Sequence, residues 1–191
     1  MDIFAHGLWA GATYKAVNKK TKKPLNAWLA GFWGVFPDLF AFTVPFVWLF
    51  GNIIFGGMSF ADIPRPDAVE PVLQDTLPIF NLASMLYSIS HSAIIFFIVF
   101  GIVFLIFRRP IWELGGWFIH ILLDIPTHSY QFYPTPFLWP LSGWKFDGFS
   151  WGTLWFLIPN YLAIITVYFF LRNKKNLIQR DDVRKSLRHH P

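Results

Sequence analysis

The chain has 191 residues, of which 54% are hydrophobic and only 14% charged, with 23 Phe and 10 Trp. A soluble domain averages about 25% charged residues, so this composition argues against a soluble globular protein and for a lipid environment. The absence of cysteine excludes disulfides, thiolate metal sites and cysteine nucleophiles together. The net charge of +5 does not point to nucleic acid, because the Lys and Arg residues cluster at the flanks of apolar segments.

In chain order, residues 2–17 predict a first helix, amphipathic and ending near Lys15. At about 1.5 Å per residue it is roughly 24 Å long, short for a complete span. Met1 to Phe4 carry no positive charge and the lysines follow the apolar stretch, so insertion is expected to rely on uncleaved segments. Residues 25–50 form a second apolar segment, interrupted at Pro37-Asp38 and at Pro45. Residues 82–107 are the cleanest span, 111–125 a helix stopped by Pro126, and 151–171 the last span before a basic tail over 172–191. The chain therefore reads as one all-α domain, 1–191, a polytopic membrane bundle of four to five helices.

Charge assigns sides to the connections. The 15–24 turn, the Arg108-Arg109 turn and the tail are basic, while 62–75 carries Asp62, Asp67, Glu70 and Asp75 against Arg65 alone. Placing the three basic regions in the cytoplasm gives one consistent up-down topology. The 126–150 loop holds Lys145 as its one basic residue, and its 133–141 portion is rich in Trp, Phe and Pro, a composition suited to the headgroup level. The tail from Arg172 is expected to contact anionic lipid, and His189 and His190 to be solvated.

Five ionisable residues interrupt these apolar segments: His6, Asp38, His91, His120 and Asp124. Burying such groups in a bilayer is expensive, so each marks a candidate site. Measured along their own helices from the basic end, all five fall roughly 15–25 Å up at a rise of about 1.5 Å. His120 and Asp124 are four residues apart and share a helix face, a spacing that can aim two ligands at one cation or form a plain hydrogen bond. Taken together, the five predict a centre for a divalent cation of the zinc class. His128, beyond Pro126, can complete the coordination, act as a general acid or line the interface. Ser92 reads as a backbone cap, Asp147 as a turn residue, and Glu113 as lying on the His120 stripe nearer the cytoplasm.

The order His6-Gly7, Pro37-Asp38-Leu39, Ser90-His91-Ser92, His120 with Asp124 and Thr127, and Leu138-Trp139-Pro140 resembles that of the bacterial and archaeal membrane-bound metal-dependent hydrolases, a family that includes an SOS-regulated inner-membrane protein. A fainter likeness is to the zinc-dependent phospholipase C type. The resemblance implies a prokaryotic inner-membrane hydrolase of a phosphoester or acyl bond in a lipid or lipid-linked substrate. On this reading His6, Asp38, His91, His120 and Asp124 hold the metal, a spare carboxylate, Asp38 or Asp124, serves as general base, and His128 protonates the leaving group. Many members read Pro-Asp-x-Asp-His where this chain has Phe40 and Ala41, and many carry His-Arg-Gly ahead of the Thr-His-Ser step. One zinc-like ion is therefore expected rather than two. A metal- or proton-coupled transporter and a non-catalytic assembly protein, either of them a homo-oligomer, are the alternative readings. No inverted repeat supports the first of these.

Overall fold

A computed structural model describes residues 1–57, 59, 78–130 and 133–188, with backbone alone for 78, 80 and 173–188. The acidic stretch 62–75, and His189 and His190, lie outside the described residues. Among the described residues, six α-helices follow in order: α1 (Ile3–Asn18), α2 (Ala27–Phe55), α3 (Pro78–Ser90), α4 (Ala93–Phe107), α5 (Gly115–Thr127) and α6 (Leu154–Arg188), with a 3-10 turn at Trp112–Leu114. No strand occurs among the described residues, and the fold is an all-α bundle.

Among the described residues, two helical stretches are long and apolar enough to cross a membrane, Ala27–Phe55 and Leu154–Arg172. A third crossing exists if the pair Asn81–Ser90 and Ala93–Phe107, bent by 60°, is counted as one span. At 16 and 13 residues, α1 and α5 are too short to span by themselves. They pack instead against α2, which forms the centre of the bundle with α3, while α6 leans on α1.

Four boundaries differ from the sequence reading, each for a local reason. Residues 82–107 are not one continuous helix. His91 N–H closes α3 on Tyr87 O, and Ser92 then caps α4 by accepting from Ile95 N–H. Serines compete for backbone partners in this way, and they end one helix and start another. Conversely, Pro37 and Pro45 do not interrupt α2, which continues through both. Pro126 likewise sits inside α5, which ends one residue later when His128 N–H bonds Asp124 O at 3.1 Å. Finally, α6 extends far past residue 171, because no Gly or Pro follows Pro159 before its end at Arg188.

Close approach of α1 and α5 to α2 depends on glycine. A Cβ on Gly34 would stand 2.7 Å from Ala10 Cβ and 3.0 Å from His6 O. One on Gly116 would meet Ala30 O at 2.0 Å. Backbones brought this near place His6 of α1 and His120 of α5 within reach of each other. A buried cluster of Phe96, Leu114, Trp117 and Ile121 fixes α5 against α4.

The segment 126–130 is clasped by 147–151. Phe149 N–H bonds Pro126 O at 3.1 Å, Gly148 N–H bonds His128 O at 2.9 Å and Trp151 N–H bonds Thr127 O at 3.2 Å. Asp147 serves the turn as expected, accepting Tyr130 N–H at 2.9 Å. The 133–141 loop covers the break between α3 and α4: Ala93 N–H bonds Phe137 O at 3.0 Å and Ser92 Oγ–H donates to Trp139 O.

Candidate metal centre

His6, Asp38, His91, His120 and Asp124 all converge, and all five are buried. Four of them offer donor atoms within 4.8 Å of one another: Asp38, His91, His120 and Asp124. They come from α2, the α3–α4 break and α5. The break positions His91, whose imidazole projects from non-helical backbone that is buried within the protein.

Each histidine of this set is held by its far nitrogen. His120 Nδ1 lies 2.7 Å from Gly34 O, and His91 Nδ1 lies 3.1 Å from Tyr87 O and 2.9 Å from Ser90 Oγ. A carbonyl oxygen only accepts, so both Nδ1 atoms carry hydrogen, and in its neutral form each ring presents a lone pair at Nε2. Those two Nε2 atoms are 3.0 Å apart. Bare lone pairs at that separation repel one another unless a positive charge lies on or between them.

The carboxylates complete the set. Asp124 Oδ2 is 3.0 Å from His120 Nε2 and 3.4 Å from His91 Nε2. Asp38 Oδ1 is 3.4 Å from His91 Nε2 and 3.8 Å from His120 Nε2. Four ligands bound at about 2.0–2.1 Å with tetrahedral angles stand about 3.3 Å apart, in the middle of this range. Asp124 Oδ2 is buried and receives no hydrogen bond, so it has the unmet need a cation would satisfy. The residues present therefore fit a metal ion.

His6 is brought to the cluster but not into this four-donor set. Its ring stacks on that of His120, with centroids 3.7 Å apart, and its Nε2 faces the other oxygen of Asp124, Oδ1, at 2.8 Å. That separation suits an ion pair, yet neither ring nitrogen of His6 has the angular geometry of a hydrogen bond. His128 meets the same oxygen at 3.3 Å, with its Nδ1 held 3.0 Å from Tyr133 O. The Met1 amino nitrogen stands 2.5 Å from Asp124 Oδ1 and 2.9 Å from His128 Nε2. Asp124 is thus two-sided, one oxygen turned to the four-donor set and the other to His6 and His128.

Supporting groups escaped the sequence reading. Tyr87 stacks on His91 at 3.7 Å and donates its hydroxyl to Tyr133 O at 2.9 Å. Trp117 Nε1–H bonds Ser90 O at 2.5 Å, which fixes the peptide just before His91. Backbone carbonyls leave no mark in composition, and a tyrosine one turn before a histidine is unremarkable in an aromatic-rich chain. Ser92 is the backbone cap that was expected. Glu113 is remote from the centre and accepts Asn26 N–H at 3.0 Å.

No protein-family model, curated protein or solved structure matches this chain.

Proposed function

We propose that this protein is a membrane-embedded metal-dependent hydrolase using one divalent ion, of the zinc class, on a lipid or lipid-linked substrate. Asp38, His91, His120 and Asp124 hold the ion. The observation that carries this reading is the pair of Nε2 lone pairs 3.0 Å apart, flanked by two buried carboxylates, one of whose oxygens lacks any hydrogen-bond donor. Protonating one imidazole would also relieve the nitrogen contact, with His120 Nε2 then facing Asp124 Oδ2 at 3.0 Å, and metal analysis separates the two cases.

A cation of this class, once bound, supplies Lewis acidity and acidifies water towards neutrality. The remaining work belongs to the chain's own groups. Asp38 Oδ2 is buried and accepts no hydrogen bond, so it is placed to take a proton from an attacking water. His128, its Nδ1 fixed on Tyr133 O, can deliver a proton to a leaving oxygen through Nε2. His6 braces Asp124 from the side away from the four donors and keeps that carboxylate oriented. Exclusion of bulk water by the surrounding helices strengthens each of these electrostatic effects.

The substrate class follows from location. The centre lies among apolar helices and beneath the aromatic 133–141 loop, and this setting supports a lipid or lipid-linked substrate. In this reading the basic turns face the cytoplasm of a prokaryotic inner membrane and the loop faces outward. The resemblance to membrane-bound metal-dependent hydrolases agrees, with a phosphoester or acyl bond as the target.

Elemental analysis of the detergent-purified full chain tests the proposal, followed by a screen of lipid phosphoesters and acyl esters. A stoichiometric transition metal in the wild type, lost in His120→Ala, together with chelator-sensitive hydrolysis, is the expected result. A correctly folded wild type that takes up no transition metal would refute it.

A further inference from the structure

One end of the bundle gathers positive charge that no ion pair among the described residues neutralises. The α1–α2 connection closes there, with Asn18 Nδ2 bonding Leu25 O at 2.7 Å and Leu25 N–H returning to Asn18 Oδ1 at 2.8 Å. The α4–α5 connection joins it: Tyr14 Oη–H donates to Trp112 O, and Asn26 N–H bonds Glu113 Oε1. Lys19, Lys20, Lys22, Lys23, Arg108 and Arg109 are carried on these two adjacent turns, and all six are exposed.

Glu113 is the one carboxylate at this end among the described side chains, and its Oε1 is engaged by Asn26. None of the six cations enters an ion pair among the described residues. Lys15, one turn deeper, is held by aromatic faces instead, its ammonium 4.5 Å from the Tyr168 ring centre and 5.8 Å from that of Trp28. The level of this charge is marked by Trp28, 85% exposed, and Trp112, 56% exposed. Exposed tryptophans at the end of an apolar bundle lie at the boundary between acyl chains and headgroups. Unpaired cations just beyond that boundary meet lipid headgroups before they meet anything else.

We propose that this basic end is a binding surface for acidic phospholipid headgroups of the adjoining leaflet. Six mutually repelling cations without an ion-pair partner among the described residues attract counter-charge, and a phosphodiester headgroup supplies it at the depth where the tryptophans sit. The surface is at the far end of α5 from His128 and is independent of the metal centre.

The test uses the delipidated full chain in detergent, offered equal amounts of phosphatidylglycerol and phosphatidylcholine with identical acyl chains. Bound lipids are counted by native mass spectrometry. The wild type is expected to retain phosphatidylglycerol preferentially. Joint Lys19→Gln, Lys20→Gln, Lys22→Gln and Lys23→Gln substitution should lower that preference by about tenfold or more. Lys145→Gln, at the opposite end, should leave it unchanged. Raising the salt of the wild-type sample, which needs no variant, should weaken the preference because exposed charges are screened. Equal retention of the two lipids, the same preference in the quadruple variant, or displacement of the bound lipid by inorganic phosphate at equal concentration would each overturn the proposal.

Discussion

Asp124→Asn is the most informative single change, because the carboxylate serves both halves of the centre. The substitution keeps shape and removes only charge and one acceptor. Its Oδ2 is one of four donor atoms, alongside Asp38 Oδ1, His91 Nε2 and His120 Nε2. Apparent binding energies of about 10–16 kcal/mol for four-ligand zinc sites correspond to roughly 3 kcal/mol per donor, so affinity should fall by about two orders of magnitude. Asp38→Asn removes one donor too and should weaken binding to a similar degree. The two variants should then part in the absence of metal. Asp124 Oδ1 also pairs with His6 and His128, whereas Asp38 has no contact of that kind. Breaking a buried pair by removing one partner costs about 3–5 kcal/mol, so metal-free Asp124→Asn should melt well below metal-free Asp38→Asn. Chelator competition gives the affinities, and thermal unfolding in detergent with excess chelator gives the stabilities. Wild-type metal affinity in Asp124→Asn would refute the assignment of the four donors.

Two further changes probe how the scaffold delivers those donors. Gly116→Val places side-chain carbon where even a Cβ would lie 2.0 Å from Ala30 O, so α5 must move away from α2. A loss of about 1–3 kcal/mol in stability is expected, with weaker metal binding because His120 leaves Gly34 O, and both are read by thermal unfolding with and without added metal. Ser92→Ala removes the cap of α4 and the bond to Trp139 O while touching no donor. It should cost about 1 kcal/mol in thermal unfolding and leave the metal stoichiometry at the wild-type value.

Much of the fold was legible because its physics is one-dimensional. Long apolar runs bounded by basic turns predict helices and their order, and α2 and α6 appear where hydropathy places them. The break at Ser90-His91-Ser92 was not legible, since the residues immediately beside it, Ile89 and Ala93, are apolar and a window average passes over two serines. The local serine cap is joined there by hydrogen bonds to distant partners, Trp117 and Trp139, which no local pattern contains. The prolines misled in the opposite direction. Propensity marks Pro37 and Pro45 as interruptions, yet tertiary packing carries α2 through both.

The site divides along the same line. That His6, Asp38, His91, His120 and Asp124 meet could be read from depth alone, because a polar group that is costly in lipid is stable only where others share the cost. Which atoms face one another could not. The four donors and the two histidines behind Asp124 have the same residue types and similar depths. They are separated by ring orientation, and orientation is set by the carbonyls of Gly34, Tyr87 and Tyr133. Depth therefore selects the members of the cluster, while main-chain acceptors fix which nitrogen carries hydrogen and which remains able to bind a cation. Side-chain chemistry at this centre is governed by backbone that has itself left regular helix, at the α3–α4 break and after Thr127, and the departures from helical pattern are where the functional geometry is made.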